Sequence, residues 1–287
     1  EFRRVLFRSD KLGWRLEYNM KHRGDVYATH GLGPVAQALD IHRGDRMKTL
    51  VAMDTKSVVG KSLVEERTGQ PCENFRNGDH TTTLIRTENG KVIEIQHDVM
   101  TPQPYNRLYQ LTGTKGFANK YPIEGYALDA KQLNASGVVP EVDNLNSHSF
   151  MPKKDMEALV QKYQHPILKK YGEMAKEVGG HGGMDFIMDS RLVYCLQNGL
   201  PLDMDVYDLA EWCCLAELGE LSMDNNCAAV AFPDFTRGEW NKVKGYKHAY
   251  ASPEDESVAM EKAKKITAKL KEKGAVEWAG EAVENKK

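Results

Sequence analysis

The feature that most constrains this chain is the turn Glu88-Asn89-Gly90 and the runs on either side of it. Asn-Gly supplies the positive-φ positions of a tight hairpin turn at little steric cost. The flanking runs, His80–Arg86 and Lys91–Val99, are rich in Thr, Ile and Val. In the second run Ile93, Ile95, His97 and Val99 share one face, and Glu94, Gln96 and Asp98 share the other. A period of two with one apolar face predicts an antiparallel pair laid on a core.

The rest of the chain extends that pattern. Met47–Val59 reads as a strand, and a second hairpin is predicted from Asn106–Thr112 and Gly116–Tyr121 around Gly113-Thr114-Lys115, with Tyr126–Pro140 as a further edge element. Helices are expected at Asp155–Tyr163, Pro166–Glu177, Met184–Asn198 and Asp205–Ser222. The third carries Met184, Ile187, Met188, Leu192, Cys195 and Leu196 on one stripe, and the fourth Val206, Leu209, Ala210, Cys213 and Ala216. Both stripes predict core-facing sides. Earlier, Asp10–Thr29 reads as loop and short extended pieces, Pro34–Ile41 as a helix opened by its proline, and Glu65–Gly78 as a polar connection. Strands in sequence followed by helices in sequence predict an α+β fold, a mostly antiparallel sheet with helices on one face. The other face is then a place for a second copy of the chain.

Composition narrows the functional classes. Lys plus Arg is 39 and Asp plus Glu 41, a net charge of −2. That is not the basic field of a general nucleic-acid binder. No run approaches the roughly 20 apolar residues of a membrane span. The five cysteines, at 72, 195, 213, 214 and 227, are odd in number and irregular in spacing. They predict buried thiols rather than a disulfide framework, and no metal centre is expected. Residues 1–9 read as adaptor or cloning sequence, 10–250 as a substrate-binding α+β domain, and 251–287 as a charged helix and tail.

One motif invites a nucleotide reading. Gly31-Leu32-Gly33-Pro34-Val35-Ala36 fits G-x-G-x-x-A, with Asp54 about the right distance downstream. Three features oppose it. No apolar strand precedes Gly31, Pro34 removes a backbone donor where pyrophosphate would bind, and the chain continues into hairpins instead of βα units. The stretch Tyr27-Ala28-Thr29-His30 before those glycines is the better candidate for chemistry. It puts a phenol, a hydroxyl and an imidazole beside a helix start, where His30 either moves a proton or caps its own turn.

The block Tyr-Ala-Thr-His-Gly-Leu-Gly-Pro at 27–34 resembles glycoside hydrolase family 109, the NAD-dependent α-N-acetylgalactosaminidases. Further segments agree in order: Gly13-Trp14-Arg15, His97-Asp98 through Pro104-Tyr105, Gly113 to Gly116, Gly180-His181-Gly182-Gly183-Met184-Asp185, and Phe232 to Thr236. The resemblance implies the substrate-side C-terminal portion of a glucose–fructose oxidoreductase-like enzyme, with the Rossmann domain that carries most of the NAD site missing from this chain. It implies Arg15, Tyr27, Ala28, Thr29, His30 and Tyr105 as substrate-binding residues, Tyr27 also near NAD, and His30 and Tyr27 as the catalytic pair. The implied reaction on an N-acetylgalactosaminide is transient oxidation at C3, elimination of the aglycone, water addition and re-reduction. An exported or periplasmic home is plausible for family members. A sugar or cyclitol oxidoreductase, and a non-catalytic sugar-binding or oligomerisation domain, are the competing readings.

Overall fold

The computed structural model describes residues 13–137, 149–197 and 202–242, with positions 265, 268 and 272 as isolated helical points. The stretch 1–9 and nearly all of 251–287 lie outside the described residues. The chain divides into two compact units, residues 1–105 with 204–246 and residues 106–203 with 247–287. The fold is α+β, with antiparallel sheets throughout.

In the first unit β1 (Met47–Asp54), β2 (Thr81–Thr87), β3 (Val92–His97) and the two-residue β7 (Val230–Ala231) form a sheet in the order β3-β2-β1-β7. The hairpin at Asn89-Gly90 is present, with Gly90 at φ +82°. Leu50 pairs with Ile85, and Ile85 with Ile93. That register gathers the apolar residues on one face, under α2 (Thr29–Ala38) and α8 (Val206–Asp224). Leu32, Ala36 and Leu215 complete this core, while Met53, Leu84 and Val92 remain exposed. A smaller core joins Leu16, Leu63, Val64, Phe75 and Met100.

Two helices here were not expected. α1 (Trp14–Lys21) replaces the predicted loop. Its inner side carries Leu16 and Met20 but also Asn19, whose amide oxygen accepts from Asn77 at 2.6 Å, so no apolar stripe announces it. α3 (Val59–Thr68) occupies the end of the predicted strand and the start of the predicted polar connection. Its N-terminal amides at Val59 and Gly60, and that of Val58 before them, donate to Asp79, a cap about twenty residues downstream. α2 also begins five residues before Pro34, which sits inside the helix instead of opening it.

The fourth predicted helix, α8, has its buried side inverted. Val206, Leu209 and Cys213 are exposed, and the buried positions are Asp208, Glu211, Leu215, Gly219, Ser222 and Met223. Charged residues take the inward face because Arg43 and His42 meet them there.

The second unit holds β4 (Gln110–Gly113), β5 (Gly116–Lys120) and β6 (Glu124–Leu128) in sequence order, with α4 (Ala130–Ser136), α5 (Lys153–Tyr163), α6 (Pro166–Val178) and α7 (Met184–Gln197). Close approach requires glycine where α6 turns back into α7: a Cβ on Gly183 would lie 2.6 Å from the backbone of Ala175. The α7 stripe is not a core face. Cys195 is buried, but Met184 is 58%, Met188 53%, Leu192 46% and Leu196 62% exposed.

Candidate functional site

The candidate site is built on a clamped strip of chain at 23–25. Arg23 donates from Nε and Nη2 to the two oxygens of Asp54 at the end of β1, at 3.1 and 2.6 Å, and from Nη1 to Asp224 at the end of α8. The amide of Gly24 donates to Asn77 at 2.9 Å. Gly24 is needed here, since φ is +105° and a Cβ would lie 3.1 Å from the tip of Met223. The Thr83 hydroxyl on β2 donates to Asp25. Three consecutive residues are thus tied to β1, to the segment before β2, and to β2 itself. The turn that follows and the first residues of α2 are placed by these ties.

On that base stand Tyr27 and His30. Their rings stack at 4.7 Å between centroids and 26° between planes, and the Tyr27 hydroxyl lies 3.5 Å from His30 Nε2. Tyr27 is half-buried and His30 exposed. Ala28, buried, is the N-cap of α2, so no side chain caps this end; Thr29 is the first helical residue. The amide end of a helix favours anionic charge and oxygen acceptors nearby.

The other expected residues are placed as follows. Arg15 is half-buried in the first turn of α1, its guanidinium 4.3 Å from the Trp14 ring. Tyr105 is 66% exposed, a few residues beyond a turn organised by Asp98, which accepts from the amides of Met100 and Thr101 and the Thr101 hydroxyl. Asp98 is therefore a turn-former. Among the expected residues, Tyr27 and His30 meet in the ring stack. His181 opens a short 3₁₀ turn and bonds Asp185 at 2.9 Å, a local cap.

The glycine motif is not a phosphate loop. Gly31 and Gly33 are inside α2, neither at positive φ, and a turn rather than a strand precedes them. A Cβ on Gly33 would lie 3.3 Å from the Trp212 ring of α8. The glycine lets α2 and α8 approach.

Alternation along β3 predicts His97 on the apolar face, but the charged residues gathered in two buried sets were not anticipated. Asp25 is 1% exposed, and one of its oxygens has no hydrogen-bond partner among the described residues; burial pushes its pKa up to about 7 despite the Thr83 hydroxyl. It shares the covered sheet face with Thr81, two residues from Thr83, and with His97, the cross-strand partner of Thr81. Burial holds His97 down to about 4, against the opposing pull of Asp98. The second set joins His42 and Arg43 to Asp205, Asp208 and Glu211. Arg43 reaches Asp208 at 2.9 and 3.0 Å and Asp205 at 3.2 Å, and His42 Nδ1 lies 2.9 Å from Glu211. Burial works against the imidazolium, but Asp205 and Glu211 outweigh it and raise His42 to about 9. His42, Asp205 and Asp208 offer atoms within 4.8 Å of one another, as metal ligands do. Here the Arg43 guanidinium already holds both aspartates, so the set is read as an ion-pair lock. Residue type alone marks neither set, since Asp and Arg are usually surface residues.

A groove of about 780 Å³ lies between α6 and α7, lined by Tyr171, Val178, Phe186 and Tyr194 among others. None of the expected site residues lines it.

Comparison with known proteins places these features in a family. Residues 7–242 match the model described as glycosyl hydrolase 109, C-terminal domain. Glycosyl hydrolase family 109 protein 5 of Phocaeicola vulgatus is 85% identical over 280 residues, 98% of this chain and 54% of the relative. Protein 3 of the same organism is 66% identical over 93% of this chain and 48% of its own length. A family 109 protein of Porphyromonas gingivalis is 63% identical over 83% of this chain and 51% of its own length. The chain therefore spans about half the length of the relatives it matches.

Proposed function

The chain belongs to glycosyl hydrolase family 109, and on that premise we propose that it supplies the sugar-gripping side of an NAD-dependent glycosidase acting on terminal α-linked N-acetylgalactosamine. The observation that carries the proposal is the Tyr27–His30 stack beside the uncapped end of α2.

The glycine motif at 31–36 does not form a dinucleotide cradle. The place a Cβ would take at Gly33 is against Trp212, and Gly31 is helical. The relatives are about twice as long as the matched stretch, and we assign NAD to the part of the full-length protein beyond it. This chain's residues have three tasks. His30, exposed and adjacent to the helix start, moves a proton at the sugar, at C2 or at the C3 hydroxyl. Tyr27 keeps the imidazole in one orientation by stacking and offers its hydroxyl to the same region. Arg15 and Tyr105 hold the sugar, the one by a fork of donors and the other by an apolar ring face with a hydroxyl. The helix amides favour the oxygen that gains charge as the proton leaves.

His30→Asn in the full-length enzyme tests this. General acid–base removal predicts a loss of about 100-fold or more in exchange of the C2 proton with solvent deuterium. An exposed residue can be changed without unfolding, so thermal unfolding should be unaltered. Unchanged exchange would remove His30 from the role.

A further inference from the structure

We propose that Asp25 is a positioning residue for the Tyr27–His30 pair, holding the turn that presents it through the bond from Thr83. The inference rests on the role given above to that pair. Asp25 is two residues before Tyr27, fully covered, and bound to the middle of β2. The clamps at Arg23 and Gly24 on the same strip fix where the chain enters the turn, and Asp25 fixes how the turn leaves the sheet.

A carboxyl is a costly choice for that task. Burying it raises its pKa to about 7, so the folded protein is destabilised whenever the group ionises. An uncharged Asn or Ser would accept from Thr83 without that cost. Side chains that oppose stability and sit under a candidate site are the ones expected to serve function. Asp25 does not face the solvent side of the turn, so it acts on the sugar only through Tyr27 and His30.

The variant is Thr83→Val, which removes the donor and keeps the volume. In the full-length enzyme we expect kcat to fall at least about 10-fold with KM within about twofold. In NMR spectra of the protein the His30 Cε1–Hε1 resonance should move. Asp25→Ala, which removes the acceptor, should also move it if Thr83→Val does not fold. An unmoved His30 resonance overturns the proposal, whether or not kcat falls, because Asp25 would then not act through the pair. So does an unchanged kcat in an active enzyme. A moved resonance in a protein whose parent releases no N-acetylgalactosamine supports the positioning role and sinks the glycosidase reading instead.

Discussion

The first unit closes two apolar clusters and buries charged groups beside them. The second leaves the apolar stripe of α7 and much of α5 and α6 at its surface. Leu32, Leu50, Ile85 and Leu215 are fully covered in the first, together with Asp25, Asp208 and Glu211. Burying a charge is tolerated only where a partner meets it, and the first unit provides partners at nearly every such position. The difference shows that a stripe of apolar residues does not locate a core by itself. In α7 the stripe faces out, and in α8 the covered side is marked by acids.

The widest gap between the units should appear at their arginines. Arg43→Ala leaves Asp208 and Glu211 buried with one cation fewer, and removing one side of a buried pair costs about 3–5 kcal/mol. Arg191 in α7 makes a similar two-bond contact with Asp203, at 2.9 and 3.0 Å, but both partners are partly exposed. Arg191→Ala should cost about 1 kcal/mol. Denaturant unfolding of the two variants measures both, and equal losses would break the comparison.

The pH response sharpens it, because Asp25 and His97, two buried groups that titrate between pH 4 and 7, lie in the first unit. Asp25 has a folded pKa of about 7, above its unfolded value, so its contribution is full at low pH and is lost as pH rises from about 4 to 7. His97 has a folded pKa of about 4, below its unfolded value, so its contribution is lost as pH falls from about 6.5 to 4. The two slopes oppose each other over that window. Asp25→Asn should expose the His97 slope, with stability rising by about 1–3 kcal/mol from pH 4 to 6.5. His97→Gln should expose the opposite slope. Variant curves that keep the parent slope would show that these two groups do not carry it.

How far the sequence could be read follows from the same physics. The hairpins were legible because Asn89-Gly90 and Gly113-Thr114-Lys115 are local turn signals between alternating runs. The helices α5 to α8 were legible in extent. α1 and α3 were not, because the information lies elsewhere in the chain: Asn19 needs Asn77, and the start of α3 needs Asp79. In the candidate site, Tyr27 and His30 were legible from residue type and spacing, and they do meet. Asp25 was not, since a single Asp beside a glycine looks like any exposed turn until the sheet above it is known.

The smallest effect separates two neighbouring glycines. Gly31 has nothing within 4 Å of the place a Cβ would take, and it sits in a helix at ordinary φ. Gly31→Ala should therefore stabilise by about 0.5–1 kcal/mol, the usual gain from removing backbone freedom in a helix. At Gly33 the new methyl would press on the Trp212 ring at 3.3 Å, and crowding offsets that gain. Gly33→Ala should be neutral or destabilising by up to about 1 kcal/mol. A phosphate-cradling loop would need both glycines for backbone approach and would lose nucleotide affinity with either change. Opposite signs in thermal unfolding, with no change in NAD affinity of the full-length protein, identify the motif as a helix contact of the first unit. A loss of NAD affinity from either change would return it to the nucleotide.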